Sequence, residues 1–399
     1  LSGEQIGRLT RLPSDRMLFN FSENYINSMD RPVLSQSFFD ASGQLIPASN
    51  ITQTRAPAFF SNLLPEGHLR IYLAKKAGIK SVREFGLLHL LGHDLPGAVT
   101  LRPDKNVQVP TGGDYSVIEK DLKNKNILKF SLAGVQLKFS AVLQATSGLT
   151  IPAHGENGSW IVKLPSLHFR HVPENEYAML SLAKAIGIEV PDIQLIETSQ
   201  ILNLPDIPSS DDKFSLAIKR FDRNNGKRIH IEDFAQIYHQ YPERKYDSVS
   251  YNNITNMLSS VIGEQGVAEF IKRLVFNMLI GNGDMHLKNW SLIYNNKQKP
   301  SLSPAYDYLA TQIFIENDQL ALNFMGTKQF SKINKLLFKQ FAKKCQLPER
   351  WVLTIVSETV ASTLQAWQNL KSGLPLKNSM AKKIETHLFE LAKQLEGAL

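Results

Sequence analysis

The sequence contains almost no cysteine. Cys345 is the single one among 399 residues, so a disulfide within the chain is excluded and a cysteine-based structural zinc site is not expected. The chain also lacks any run of about 18 or more uncharged apolar residues, the length that a membrane-spanning helix needs. One reduced cysteine is compatible with a reducing compartment. These absences predict a cytoplasmic protein without a membrane segment.

Several common catalytic motifs are absent as well. The sequence has no G-x-S-x-G elbow and no H-E-x-x-H, which leaves hydrolase and zinc-protease functions without support. It has neither a Walker A string nor G-x-G-x-x-G. The composition is that of a globular protein, with 43% hydrophobic and 21% charged residues. The net charge of +8 favours anionic partners, including nucleotides and nucleic acid, without choosing among them.

Residue patterning indicates a mixed organisation. The segment Arg16 to Phe21 alternates like a strand, with Met17, Phe19 and Phe21 on one face. Further along, predicted strands precede and follow one predicted helix, the pattern of an α+β lobe. A long apolar stripe from Val267 to Leu279 then opens a region dominated by helices.

The strongest chemical signal is the string GNGDMHLKN at 281–289, which directly follows the apolar helix. Its glycines let the chain turn, and Asp284 and Asn289 then stand in one loop. A second acid, Asp307, follows another short strand. Phosphoryl transfer needs one carboxylate to orient the hydroxyl proton, and a carboxylate with an amide oxygen to hold Mg²⁺ against the phosphates. The competing interpretation is that the Asp and Asn are turn formers that bond their own backbone.

Two upstream segments are candidates for phosphate contact. The string SLAGVQLK at 131–138 lies between predicted strands, and the N–H groups of such a turn can point at phosphate oxygens. An ordinary hairpin turn is the alternative. Lys163 lies in an apolar strand, where an unpaired lysine is costly to bury. It either reaches the surface or meets a nucleotide phosphate, with Glu176 on the next helix as its partner.

Two further elements have less specific patterns. The strand from Leu216 to Arg223 would offer backbone groups to an adenine edge, with Phe221 packed on the base; a plain exposed strand end is the alternative. His286 has no second His or Cys nearby at metal-ligand spacing. It is interpreted as a nucleotide contact or a brace of its loop.

Taken in order, these strings resemble the HipA family of bacterial toxin kinases over nearly the whole chain. FSNLLPEG at 60–67 and LGHDLPGAV at 91–99 resemble the N-terminal subdomain of that family. The resemblance continues through residues 131–138, 161–165, 174–191, 221–223, 281–289 and 304–307.

The resemblance implies an α+β, two-lobed protein-kinase-like fold with a small N-terminal α/β subdomain and a mostly helical C-terminal lobe. The implied domains are residues 1–114 for the N-terminal subdomain, 115–237 for the lobe with the ATP loop and hinge, and 238–399 for the helical lobe with the catalytic loop.

The resemblance also implies a role for each matching residue. Asp284 would be the catalytic base, and Lys163 the phosphate-binding lysine. Asn289 and Asp307 would be the Mg²⁺ ligands. The other residues implied to contact ATP are Ala133, Gly134, Val135, Gln136, Leu137 and Lys138 in the loop, Lys219, Arg220 and Phe221 in the hinge, and His286, Leu287, Lys288 and Tyr306.

Ser131 matches the serine that family members autophosphorylate. A phosphate dianion there should repel the nucleotide phosphates and pull the loop out of the site, which implies self-inactivation. The chain departs from the family at Lys219, where an acid is common, and at Gly283 and Met285, where polar residues are commoner. These departures leave the carboxylates intact and bear on substrate choice and nucleotide affinity.

The resemblance implies a type II toxin that phosphorylates a protein on serine or threonine and inhibits growth. Known substrates of the family are aminoacyl-tRNA synthetases. The implied partner is a small helix-turn-helix antitoxin, through which the chain would reach operator DNA. The basic charge motivates a second hypothesis, a catalytically weak nucleotide-binding corepressor that acts with the antitoxin on operator DNA. A small-molecule kinase is a third.

Overall fold

The computed structural model describes residues 1–104, 138–144, 148–150, 158–204, 210, 212–247 and 249–397. Buried apolar side chains form two clusters. One cluster fills the N-terminal unit, here residues 1–104, and reaches onto a central sheet. The other fills the helical C-terminal half and includes the helix that packs on the same sheet.

The N-terminal unit is built on short strands whose alternate residues are apolar. Met17, Phe19 and Phe21 are buried within one strand, which confirms the predicted strand and its inward face. The ring centroid of Phe19 lies 5.5 Å from that of Phe38 and 4.9 Å from that of Phe60. The antiparallel strands are β1 (Gly7–Leu12), β2 (Arg16–Phe21) and β3 (Thr52–Gln53), and the helices are α1 (Glu23–Asn27), α2 (Ala58–Ser61), α3 (Gly67–Lys76) and α4 (Glu84–Leu91).

The central sheet has an apolar layer on both faces. Its strands are β4 (Lys138–Gln144), β5 (Gly148–Thr150), β6 (Trp160–Lys163), β7 (Ile193–Glu197) and β8 (Phe214–Lys219), antiparallel in the order β5-β4-β6-β8-β7. In β8, Ala217 belongs to the N-terminal cluster, whereas Leu216 and Ile218 belong to the other. Since successive strand residues point to opposite faces, the N-terminal unit covers one face and helix α5 (Val172–Ala185) the other.

The C-terminal half is mainly helical, as the resemblance implies. Two short hairpin strands lead into it, and a small antiparallel sheet of three strands, β11 (His230–Asp233), β12 (Ser291–Tyr294) and β13 (Ser301–Leu302), flanks the loop at residues 281–289. Within the described parts of the chain, no helix combines the length and apolar character needed to cross a bilayer. The elements are β9 (Arg223–Asn224), β10 (Lys227–Arg228), β11 (His230–Asp233), α6 (Phe234–Ile237), α7 (Tyr251–Val261), α8 (Glu264–Leu279), β12 (Ser291–Tyr294), β13 (Ser301–Leu302), α9 (Lys335–Lys344), α10 (Glu349–Leu370) and α11 (Asn378–Glu396).

The predicted domain boundaries remain predictions. The one between residues 114 and 115 lies outside the described residues. The one between residues 237 and 238 coincides with the end of α6.

A buried ion network joins the N-terminal unit to the turn after β8. Asp222 accepts two hydrogen bonds from Arg220, at 2.9 and 2.8 Å, and one from the backbone N–H of Gly97 at 2.8 Å. Arg223 donates to Asp222 at 2.7 Å and to Asp94 at 3.0 Å. Burial opposes ionisation of Asp222, but the arginines outweigh it and lower its pKa to about 2. Two strings of the sequence, at 91–99 and 221–223, are thus two halves of one contact.

A second polar contact between the units centres on a buried carboxyl. Glu232 in β11 accepts a hydrogen bond from the Gln36 N–H at 3.1 Å and from the Tyr294 hydroxyl at 2.5 Å. Burial raises the pKa of Glu232 to about 7. The neighbouring His230 ring lies 2.7 Å from the Leu34 carbonyl oxygen. The segment at residues 34–36 therefore docks along β11.

Candidate active site

The side chain of Lys163 joins three separate elements. Lys163 ends β6, and its Nζ donates a hydrogen bond to Oε1 of Glu176 on α5 at 2.5 Å. The same ammonium pairs with Asp307, 144 residues further along the chain. Lys163 and Glu176 are buried, whereas the Asp307 side chain is 27% exposed. The central sheet, α5 and the segment after β13 thus meet at one cation.

The charges around Lys163 keep it protonated. Burial alone would lower the pKa of the ammonium, but the carboxylates of Asp307 and Glu176 outweigh burial, and the pKa is raised. Lys163 is therefore a cation at neutral pH. A fixed cation beside a partly exposed carboxylate provides a place where an anionic ligand and a metal ion can both be held.

Asn282 ties the segment of Asp307 to the loop of Asp284. Asn282 is buried; its Nδ2 donates to the backbone carbonyl of Asp307 at 3.3 Å, and its Oδ1 accepts the N–H of Asp284 at 3.0 Å. Asn289 closes the loop, because its Nδ2 donates to the Asp284 carbonyl at 2.7 Å. Asp307 itself has a left-handed backbone, with φ +57°. Such a conformation is uncommon outside glycine and is often found at functional sites.

Asp284 is half-exposed and has an aromatic neighbour. Its Oδ1 accepts a hydrogen bond from the Tyr246 hydroxyl at 2.5 Å, and its side chain is 49% exposed. Desolvation, together with the charges of Asp307 and Asp318, raises the pKa of Asp284, although the Tyr246 hydrogen bond acts in the opposite direction. A carboxylate with a raised pKa is a stronger proton acceptor.

His286 braces this arrangement as a neutral ring. Its imidazole packs edge-on against Tyr246, with ring centroids 4.9 Å apart. Burial and the charge of Lys245 lower the pKa of His286 to about 3, so it carries no charge at neutral pH. In the described part of the chain, its Nδ1 has no hydrogen-bond partner. The nitrogen is therefore buried without a partner among those residues.

Thr311 and Asp318, which no sequence pattern singled out, stabilise the loop that carries Asp284. The Thr311 hydroxyl accepts the N–H of Gly283 at 2.6 Å and donates to Asp318 at 2.5 Å. A Cβ at position 283 would collide with the Asp318 carboxylate. No motif in the sequence marks Thr311 or Asp318, because their relation to the loop is purely spatial.

The structure brings together the aromatic rings of Phe221, in the predicted hinge, and Tyr306, which precedes Asp307. Their ring centroids are 5.7 Å apart. The Tyr306 hydroxyl lies 2.5 Å from that of Ser291 and donates to the backbone carbonyl of Lys288 at 3.0 Å. The predicted hinge and the segment before Asp307 are therefore in direct contact.

Two of the predicted hinge side chains are engaged elsewhere. Lys219 pairs with Asp192 at 3.0 Å, and both side chains are exposed. Its N–H donates to the Asp192 carbonyl at 2.8 Å, and that of Arg220 to the Ser159 carbonyl at 2.8 Å. The Arg220 side chain is buried in the ion network. The ion pair of Lys219 is exposed and therefore weak, so the predicted nucleotide contacts of both residues stay predictions.

The side chains of Leu287 and Lys288, in the loop of Asp284, also have partners elsewhere in the protein. Leu287 is fully buried in the C-terminal core. The Nζ of Lys288 donates to the Asn62 carbonyl at 2.9 Å and lies 3.1 Å from a carboxylate oxygen of Glu66. The Lys288 side chain thus joins the N-terminal unit directly to the loop of Asp284. The predicted nucleotide contacts of both residues stay predictions.

Comparison with known proteins agrees with this architecture. The family model of the HipA N-terminal domain matches residues 1–102, and that of the HipA-like C-terminal domain matches residues 130–367. The chain belongs to the HipA family.

Relatives of the chain include named kinases. A Sinorhizobium fredii protein with the provisional name kinase Y4dM is 47% identical over 390 residues, which are 97% of this chain and 95% of that protein. The serine/threonine-protein kinase toxin HipA of Shewanella oneidensis is 24% identical over 311 residues, which are 67% of this chain and 66% of the toxin.

A solved structure shares the fold. A chain in the complex of Shewanella oneidensis HipA, HipB and operator DNA matches with a TM-score of 0.76 at 21% identity, covering 100% of this chain and 96% of that chain. The predicted two-lobed, kinase-like α+β fold is confirmed.

Most of the predicted ATP-loop residues, namely Ser131 and residues 133–137, lie outside the described residues. Lys138 is the first residue of β4, and its main chain pairs with that of Lys163 in the antiparallel register. Lys138, the last of the predicted loop residues, therefore lies directly opposite the candidate phosphate-binding lysine. The roles of these loop residues stay predictions.

The donor set of the HipA-family chain fits magnesium. No cluster of three or more His, Cys, Asp or Glu side chains suited to a metal occurs among the described residues. Mg²⁺ does not need one, because it is usually held by one or two carboxylates together with substrate phosphates and water. Asp307 supplies a carboxylate. Asn289 uses its amide nitrogen on the loop, so its amide oxygen is the atom left for a cation.

Proposed function

We propose that this HipA-family protein is an ATP-dependent serine/threonine protein kinase. One observation carries the proposal: the Lys163 ammonium contacts both Glu176 and Asp307. A strand lysine that pairs with a helix glutamate beside a metal-binding aspartate is the arrangement that protein kinases use to position ATP. The names of the relatives as kinases agree with it.

The residues divide the work of phosphoryl transfer. Asp284 accepts the proton of a serine or threonine hydroxyl, whose oxygen forms a bond to the γ-phosphorus while the bond to the ADP oxygen breaks. Tyr246 holds Asp284 in place through its hydrogen bond. Lys163 binds phosphate oxygens. Asn289 and Asp307 would hold magnesium, which supplies positive charge against the phosphates.

The proposal extends to partners. The Shewanella neighbour is in a complex with HipB and operator DNA. By analogy, we propose a small helix-turn-helix antitoxin for this chain, contact with operator DNA through that antitoxin, and a growth-inhibiting role, with an aminoacyl-tRNA synthetase as a candidate substrate. We further propose that autophosphorylation of Ser131 inactivates the kinase.

The second candidate, a weakly catalytic corepressor, is favoured by the net charge of +8. It requires specific operator binding only in the presence of the antitoxin, with a steep dependence on salt. It also requires that ATP be bound without being turned over. Turnover is therefore the property that separates the two candidates.

Incubation of the protein with γ-labelled ATP tests the proposal. We expect label on the protein itself in the presence of magnesium and none after chelation with EDTA, because the phosphates need a cation to offset their charge. Mass spectrometry should place the phosphate on Ser131. Tight ATP binding without any transfer of label would favour the corepressor and contradict the kinase.

A further inference from the structure

A groove of about 610 Å³ separates the N-terminal unit from the segment that precedes α7. One wall comes from the N-terminal unit and the other from residues 242–246. The lining residues are Gln53, Thr54, Arg55, Glu66, Gly67, Arg70, Ser81, Val82, Pro242, Glu243, Lys245 and Tyr246. The roles proposed above for Lys163, Asp307 and ATP make no use of this space.

The groove lies next to the proposed catalytic base. Tyr246 lines the groove, and its hydroxyl donates to Oδ1 of Asp284 at 2.5 Å. An acceptor hydroxyl positioned at Asp284 would therefore lie close to the groove. The segment on either side of that hydroxyl would have to continue along this surface or into solvent.

Glu66 ties the two walls of the groove together. Glu66 of the N-terminal unit accepts a hydrogen bond from Lys245 at 3.0 Å and lies 3.1 Å from the Nζ of Lys288. These two lysines lower the pKa of Glu66 to about 2, although burial opposes it. Glu66 is therefore a carboxylate at neutral pH, and it clamps both the catalytic loop and the groove wall.

A second contact between the walls is exposed, and in it the Arg55 guanidinium also lies 4.8 Å from the centroid of the Tyr241 ring. Arg55 of the N-terminal unit pairs with Glu243, and their side chains are 39% and 57% exposed. Such a pair is weak and easily exchanged. Its guanidinium can turn to a carbonyl oxygen of an incoming chain, because arginine presents several N–H donors in one plane.

Most lining residues end in a polar or charged group, although much of the surface that they present is apolar, and Val82 is 60% exposed at the rim. An open groove of this kind beside the proposed catalytic base suits an extended polypeptide, because the backbone offers a donor and an acceptor at every residue and apolar side chains can pack on the walls.

We propose that this groove binds the polypeptide segment carrying the phosphoacceptor serine or threonine. The proposal rests on the kinase function proposed above and adds that acceptor recognition is shared between the N-terminal unit and the C-terminal half. The N-terminal unit then acts in substrate selection as well as in folding.

A cysteine introduced at the groove rim can be modified selectively to block the groove. Its single native cysteine, Cys345, is buried, and burial raises the pKa of its thiol to about 11, so it is expected to react slowly. Val82→Cys places a thiol on the groove rim. Ile71→Cys is the matched control, since Ile71 is 56% exposed on α3 of the same unit and is not a lining residue. Each variant is assayed before and after reaction with a bulky maleimide.

The probe is a library of serine- and threonine-centred peptides with γ-labelled ATP and magnesium. After blocking, Val82→Cys should show a peptide KM at least about tenfold higher, a loss of about 1.4 kcal/mol of binding free energy. Its KM for ATP should not change. Blocked Ile71→Cys should match its unblocked form in every assay.

Two results would overturn the groove proposal alone. One is an equal peptide KM for blocked Val82→Cys and blocked Ile71→Cys. The other is autophosphorylation by an enzyme that labels no peptide in the library. Absence of all label transfer, including autophosphorylation, would overturn the kinase function and the groove proposal together.

Discussion

Replacement of Asp284 by asparagine is expected to lower phosphoryl transfer at least about a hundredfold, the usual scale for removing a positioned general base. The amide keeps the size of the side chain and can still contact Tyr246. It cannot accept the hydroxyl proton. Transfer of label from γ-labelled ATP, measured at saturating magnesium and ATP, checks this expectation.

The pH dependence of wild-type kcat/KM tests the role of Asp284 independently. Because the pKa of Asp284 is raised, the fraction of the base form should fall at a pH above the ordinary range for aspartate. The acid limb of kcat/KM should therefore be displaced upward. Glu197→Gln, at an exposed ion pair with Lys213, serves as the control and should keep wild-type activity. Equal label transfer by Asp284→Asn and wild type would refute the assignment of the base.

Replacement of Asp222 by alanine is expected to reduce the free energy of unfolding by about 3–5 kcal/mol, the usual cost of removing one partner from a buried ion pair. The change would leave Arg220 and Arg223 buried beside each other, with Asp94 as the carboxylate that still pairs with them in the described part of the chain. It would also remove the acceptor of the Gly97 N–H. Urea unfolding followed by tryptophan fluorescence measures the difference.

An exposed pair provides the comparison. Asp192→Ala removes the partner of Lys219, and we expect a loss of less than about 1 kcal/mol because both side chains are in water. The pH dependence has a definite sign: the folded-state pKa of Asp222 is about 2, below its ordinary value of 3.8. Its contribution is therefore complete above about pH 4 and is lost as the pH falls towards 2. Similar losses in the two variants would contradict the proposed importance of the network.

Local patterns predicted the parts of the molecule in which neighbours in sequence interact. The alternation of Met17, Phe19 and Phe21 predicted β2 and its buried face. A lysine in an apolar strand was expected either to reach the surface or to meet an anion, with Glu176 of the following helix as its candidate partner, and the structure brings Glu176 to Lys163. The glycine-containing end of α8 predicted the turn into the loop of Asp284.

Other features depend on long-range packing and have no local signal. From the sequence, Lys288 is an ordinary loop residue. In the structure, its ammonium contacts Asn62 and Glu66 of the N-terminal unit, and Asn62 is 226 residues away in the sequence. Arg220 reads as an exposed charge at a strand end, yet it is buried because Asp222 and Asp94 surround it. Burial of a charge becomes favourable only when the fold supplies its partners, and a single sequence does not reveal them.

The central claim is that the cation at Lys163 marks the place where the phosphates of ATP bind. The most direct test is the affinity for magnesium–ATP of Lys163→Met, measured by calorimetry on protein shown by circular dichroism to be folded. We expect at least about tenfold weaker binding, since a charge-assisted hydrogen bond contributes about 1.5–3 kcal/mol. Lys213→Met, at an exposed pair with Glu197, should bind like the wild type. Equal affinity of Lys163→Met and wild type would contradict the claim.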